Sequence, residues 1–392
     1  AIAGFAGGGD QNANGTGLLI GAGQTIQSDS GDISLEGTAS KKTGQNAVWV
    51  DSTPVSSSGN ISVEGKPHGT TGLIRPVSLA GLTATLGTVS ITSPGAVTQS
   101  AAITATSLSL RGAADFTLTN TSNAFGTLAA GSDSSKVASL SIFNASGGLT
   151  VGSVGPLEGV SATGDVLVET GAGDITLAKS IATDSTSSTA ITLNAGDSTV
   201  AGTDTGGNIV ISGSPTLTTG TGGIVRLFSG SEADSTGLTA LAGGASNTYF
   251  GVDETSTPSP ALSSGTTYAL YRGKETPQLA SLNNQSVTVG ASNATLTAPS
   301  ATNKTSGSVA GSTTWSSSNS SVASISGSTL TYGSAGTAVI TATFTPTDTA
   351  TYQSATATFT VTVSVASSGG SSSASSSSAA PATPAPVAPV PA

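Results

Sequence analysis

Along much of the chain, apolar residues alternate with Ser or Thr in short runs, and a Gly followed by a small polar residue stands just ahead of each run. Gly31-Asp32-Ile33-Ser34-Leu35, Gly59-Asn60-Ile61-Ser62-Val63 and Gly87-Thr88-Val89-Ser90-Ile91 are three such phrases, with their glycines 28 residues apart. The phrase returns as Gly164-Asp165-Val166-Leu167-Val168, Gly173-Asp174-Ile175-Thr176-Leu177 and Gly207-Asn208-Ile209-Val210-Ile211, with looser forms at Ile191-Thr192-Leu193 and Val225-Arg226-Leu227. A period of two predicts half-buried strands, and Gly with Asp or Asn marks the preceding turn. Three inward side chains per strand cannot make a domain, so the phrases must bury one another. Steps of 16 to 28 residues between phrases match the circumference of a solenoid coil. The expectation for residues 1–245 is therefore a parallel β-helix. A sandwich would not require the same short phrase to return in the same setting. Helix signals are nearly absent, because Gly, Ser, Thr and Asn are dense throughout.

The pattern changes after residue 245. Over 246–276, Tyr249, Phe250, Tyr268 and Tyr271 cluster with Pro258 and Pro260, which predicts a cap or hinge covering the last coil; a ligand platform is the other reading. From 277 to 366, short alternating runs recur at Gln285–Val289, Ser312–Ser317, Ser321–Ile325, Ala338–Phe344 and Ala357–Val363, the rhythm of a small antiparallel β-sandwich. Trp315 is expected in its core. Residues 367–392 are Ser, Gly, Ala and Pro and read as a linker or tail whose Pro-rich end favours extended polyproline II.

Composition narrows the function classes. Only 8% of the 392 residues are charged, with net charge −10, against roughly a quarter in ordinary globular domains. Hydroxyls and amides must solvate the surface, which suits an extracellular structural protein better than a cytosolic enzyme. Eleven scattered Lys and Arg give no cationic stripe, so nucleic acid is not expected as a partner. No run of 18 apolar residues occurs, so no membrane span is expected. The first thirty residues carry no intact signal peptide, and with Met 0 the chain is expected to be a processed or excerpted portion of a longer one. Cys 0 removes disulfides and thiolate chemistry.

At this point the residues carry a resemblance. The Gly-Asp-Ile-x-Leu phrases, the run Asp115-Phe116-Thr117-Leu118-Thr119-Asn120-Thr121-Ser122-Asn123-Ala124-Phe125-Gly126 and the Cys-free Gly/Ser connections resemble the rod of filamentous haemagglutinin-like exoproteins of two-partner secretion, over about residues 1–245. The resemblance implies a right-handed β-helical rod that crosses the outer membrane unfolded through a dedicated transporter. It also implies a role at the bacterial cell surface or outside the cell in adhesion, aggregation or biofilm formation. The amino-terminal secretion domain of that family is missing here, so the chain would be a carboxy-terminal portion. Trp315 followed by Ser317-Ser318-Asn319, Val322-Ala323-Ser324-Ile325 and Gly336-Thr337-Ala338-Val339-Ile340-Thr341-Ala342 resembles the Ig-like domains of bacterial surface adhesins.

Candidate chemistry is sparse. His68, the one histidine, has only Glu64 near it in sequence and reads as a turn residue. Asp165 and Asp174 hold equivalent places in successive phrases and could face each other, but Asp after Gly caps its own turn. Gly7-Gly8-Gly9-Asp10 and Gly196-Asp197 are fragments of a calcium-loop pattern without its repeat. Asn144-Ala145-Ser146 and Asn293-Ala294-Thr295 are glycosylation triplets of the kind such a composition produces by chance. No catalytic, cofactor-binding or metal site is expected, and no enzyme. The expected partners are glycans or proteins on a host or neighbouring cell, copies of the chain in a filament, and the outer-membrane transporter during secretion.

Overall fold

The computed structural model describes residues 2–5, 16–38, 45–67, 75–145 and 147–366. His68, Asp10, Ser146 and the tail 367–392 lie outside the described residues. The chain divides into two compact units, one of residues 1–280, 300–313 and 344–355, the other of 281–299, 314–343 and the residues from 356. Both are nearly all β.

In the first unit the chain passes back and forth between two parallel sheets. The first sheet runs Ile2–Phe5, Ile33–Thr38, Ile61–Lys66, Leu82–Thr92, Ile103–Arg111, Ala124–Ala130, Leu149–Val151, Ile175–Leu177 and Ile209–Ile211, with further short strands pairing alongside. The second runs Leu18–Ile20, Val48–Val50, Val77–Leu79, Val97–Gln99, Asp115–Leu118, Ser139–Asn144, Val166–Thr170, Ile191–Ala195, Val225–Ser229 and Thr267–Tyr271, and ends on Thr248–Phe250. Large parallel sheets fed this way are compatible with a solenoid.

Register explains why so few apolar residues per strand suffice. In the first sheet Ile33, Ile61, Val89, Leu108, Leu128, Val151 and Leu177 are direct partners in turn. In the second the same holds for Leu18, Val48, Val77, Val97, Phe116, Leu140, Val166, Ile191 and Val225. All are buried and belong to one apolar cluster between the sheets. The phrases beginning at Gly31, Gly59 and Gly87 therefore stack directly. The steps near 16 residues after Ile175 do not close a coil: Ile175 and Ile209 are partners in the first sheet, whereas Ile191 and Val225 are partners in the second. A short step is a crossing between sheets, and only two crossings complete a layer.

The phrase's glycine has a steric cause. A Cβ at Gly59 would stand 2.3 Å from the carbonyl oxygen of Gly31, and one at Gly87 2.1 Å from that of Gly59. Any side chain would force the layers apart at this turn. The polar residue that follows also acts between layers. Asp32 Oδ1 accepts the Asn60 N–H at 2.7 Å, Asn60 Oδ1 the Thr88 N–H at 2.8 Å, and Asp174 Oδ1 the Asn208 N–H at 2.8 Å. The sequence expectation for Asp174, a cap on its own turn, is corrected here: it caps the next layer, because the parallel stack brings that N–H directly over it. At other corners buried Asn123 accepts the Ile103 N–H at 2.8 Å and buried Asn144 the Phe125 N–H at 2.9 Å. Backbone groups that strands leave unpaired at corners are thus satisfied inside.

The second unit holds most of a sheet ordered Gln285–Thr288, Ala355–Ser364, Gly336–Pro346, Gly311–Ser317, namely its residues 285–288, 356–364, 336–343 and 314–317, and all of another ordered Ala294–Thr295, Thr329–Tyr332, Ala323–Ser326. Leu296, Val322, Leu330, Ile340, Phe359 and Val361 form its buried cluster. Half-buried Trp315 packs against that cluster, edge-on to Phe359 at 6.3 Å. Gln285–Thr288 pairs Ala355–Ser364 in parallel, so this sheet is not the purely antiparallel one the turn rhythm predicts.

Candidate functional site

Asp165 and Asp174, the carboxylates singled out in the sequence, precede strands of different sheets, and each has its own partners. Asp165 accepts hydroxyls from Ser185, from Ser187 at 2.8 Å and from Thr189 at 2.8 Å. Burial alone would raise its pKa, but these donors and the nearby Arg226 charge hold it below the usual carboxylate range. A carboxylate so fully occupied pins the 185–189 loop and offers no base to a substrate.

A cluster of ionisable groups surrounds Arg272, which directly follows the strand Thr267–Tyr271. Its side chain is fully buried. The guanidinium donates to Asn194 Oδ1 at 3.2 Å, to the Ala195 carbonyl and to the Gly207 carbonyl at 3.2 Å. Burial lowers its pKa, and the charges of Glu254, Asp253 and Asp197 pull it back up. Asp197, part of the calcium-loop fragment, accepts the Asn194 amide at 3.1 Å. Glu169 is pushed up to about 7, first by burial and then by the charges of Asp197 and Glu254. The loop beginning at Asp253 docks here: Asp253 Oδ2 accepts the Ala201 N–H at 2.9 Å and Glu254 Oε1 the Ser198 N–H at 3.0 Å. Among the described residues, no group of three or more His, Cys, Asp or Glu is arranged to hold a metal ion. The cluster's chemistry is that of a clamp, tying the last passes of the second sheet to the loops beside them.

The outer side of the same loop borders a cleft of about 580 Å3. Tyr249, Phe250, Pro260 and Tyr352 are among the residues that line it, with Glu275 and Lys304 as its ionisable members. The aromatic stretch predicted as a cap is thereby divided. Tyr271 and Phe250 stack on one another at 5.4 Å and join the main core, and Tyr268 meets Tyr249 edge-on at 5.8 Å. Tyr271 is pushed up to about 12 by burial, its hydroxyl pairing with Thr239 at 2.9 Å. Tyr249 spans both settings, with its hydroxyl donating to the Pro260 carbonyl at 2.9 Å. Buried Glu275 accepts the Lys304 N–H at 2.7 Å. The Lys304 ammonium pairs with Glu232 and lies 5.8 Å from the centre of the Phe250 ring.

Arg272, Glu275 and Lys304 were not singled out by sequence reasoning. One signal was present: in a chain with so few charges, Arg272 closes the continuous apolar run Tyr268-Ala269-Leu270-Tyr271, which otherwise reads as a core strand. Comparison with known proteins returns no match to any family model, curated protein or solved structure.

Proposed function

We propose that the chain is a non-catalytic structural adhesin, displayed on a bacterial surface or secreted, in which a right-handed parallel β-helix holds contact surfaces away from the cell. On this reading the second unit is an Ig-like β-sandwich, the tail a linker, and secretion proceeds through an outer-membrane transporter, as in filamentous haemagglutinin-like exoproteins. The observation that best supports it is the stacked, in-register pairing of short low-charge strands, a construction that gives length and rigidity from small, hydroxyl-rich layers. The contacts with glycans or proteins on other cells would be broad, wet and individually weak, summed over many copies. Deleting the segment from its producer and measuring attachment, aggregation and biofilm mass tests the reading; unchanged values in all three assays overturn it.

A second reading, a subunit of a self-assembling filament, draws support from a sheet end. Among the described residues, Thr248–Phe250 is an outermost strand of the second sheet, and such edges are templates for another chain. Light scattering across a concentration series tests it: growing polymers support it, and a monomer at every concentration removes it.

A further inference from the structure

The cleft beside Tyr249 has the size and chemistry of a ligand site. Its volume of about 580 Å3 falls within the roughly 300–1,000 Å3 typical of small-molecule sites. Its aromatic residues are each held by a neighbour, Tyr249 edge-on by Tyr268, Phe250 by stacking on Tyr271, and Tyr352 by the Asn303 amide, which donates to its hydroxyl at 3.2 Å. A ligand arriving there orders little that is not already ordered.

The charged groups restrict what it can be. An aromatic cleft with a carboxylate could hold an organic cation, but the chain fills that role itself with the Lys304 ammonium over Phe250 and against Glu232. What remains in the lining is the pair Tyr249 and Tyr352 together with Glu275, a buried carboxylate to which, among the described residues, the Lys304 N–H donates. Burial raises the pKa of that carboxyl, the sign of a group short of solvent, and such an acceptor gains most from hydroxyl donors. The chain's own Pro-rich residues 381–391 would suit aromatic rings by shape. Yet Thr383 is the only side-chain hydroxyl among them, and prolines lack the N–H, so they would leave Glu275 poorly partnered.

We propose that this cleft binds one or two sugar units of a neutral glycan, with the apolar C–H face of a pyranose ring on Tyr249 or Tyr352 and a hydroxyl pair donating to Glu275. The proposal rests on the surface-contact reading above and gives it a place and a ligand class. C–H contacts with ring faces are weak singly, so a single cleft binds weakly and many copies are needed for attachment.

The test is saturation-transfer NMR on the full chain with three probes, cellotetraose, the tetramer of N-acetylglucosamine and mannotetraose, followed by calorimetry on any that bind. The expected result is transfer to ring C–H protons of at least one saccharide. Glu275→Gln, close to isosteric, should weaken binding at least tenfold, and Thr257→Trp, at an exposed rim position, should abolish it with the thermal unfolding curve unchanged. No transfer from any of the three overturns the proposal, as does binding that both variants leave intact. Binding of a synthetic peptide of residues 379–392 where no saccharide binds hands the cleft to the chain's own tail and also overturns it. Cell attachment separates the two levels. Attachment that survives both variants removes this site and keeps the adhesive reading, whereas saccharide binding without attachment does the reverse.

Discussion

Replacing Arg272 by Ala should rank among the costly single changes in the first unit. The side chain is fully buried, and its guanidinium serves three acceptors on two separate stretches of chain, Asn194 and Ala195 on one and Gly207 on the other. A buried hydrogen bond to a charged group is worth about 1.5–3 kcal/mol. The three share one donor group and do not add, so about 3–5 kcal/mol is the expected loss, from three acceptors left unserved together with the packing of a fully buried side chain. Arg272→Met keeps much of the packing but leaves the same acceptors unserved, and should recover less than half of the loss. Arg272→Lys retains the charge without the planar fork and should fall between. Because each layer contacts mainly its neighbours, the loss will be regional. The assay is therefore hydrogen exchange by mass spectrometry in increasing urea, following peptides across 191–195, 207–211 and 267–271 against a reference at 77–92. Faster exchange in the first set with the reference unmoved is the expected pattern. A loss below about 1 kcal/mol for the Ala variant, or equal loosening everywhere, would show that Arg272 is not the clamp described.

Three further outcomes are expected. Gly87→Ala places a Cβ 2.1 Å from the Gly59 carbonyl oxygen and should destabilise by about 1–3 kcal/mol, as overpacking does; a denaturant midpoint within error of the parent refutes the close-approach argument. Asn123→Leu strips the partner from the Ile103 N–H and from the Leu118 and Phe143 carbonyls, so urea unfolding should register a loss of about 2–4 kcal/mol, with Asn123→Asp intermediate. For pH, Glu169 titrates near 7 when folded against an ordinary value of 4.5. Between those values the folded chain holds a proton that the unfolded chain has released. Stability should therefore be full below about pH 4.5 and fall as pH rises through about 7. Glu169→Gln should remove that slope from a series of melting temperatures, and an unchanged slope assigns it elsewhere.

The alternation of Ile33-Ser34-Leu35 and its counterparts made the strands legible, because a half-buried strand needs an apolar residue at every second position. The 28-residue spacing made their stacking legible, because side chains one full layer apart must fill the same column. The assignment of strands to sheets was not legible. Gly164-Asp165-Val166 and Gly173-Asp174-Ile175 look alike but lie in different sheets, since a strand with one buried face reads the same on either side of a shared core. The role of Asp174 was misread, and those of Asp32 and Asn60 went unread, for a related reason: local sequence shows a turn, and only stacking shows whose N–H waits above it. The clamp and the cleft were least visible. Arg272 and Glu275 are charged residues that sequence statistics place on the surface, and both are buried through contacts with residues far away in the chain.

The side-chain bonds between layers hold across loops of quite different length. Asn144 reaches the layer before it over 19 residues and Asn123 over 20, whereas Thr88 bonds to Asn60 over 28 and Asn208 to Asp174 over 34. The spacing between layers is fixed by the backbone and the bare glycine turn, not by the amount of chain in each circuit. Perimeter and height are thereby decoupled. A circuit can swell outward to carry new surface, or whole circuits can be duplicated or lost, and the neighbouring layers meet the same amides and carbonyls as before. Reach and surface chemistry can then change independently in descendants of this chain, with the core columns left untouched.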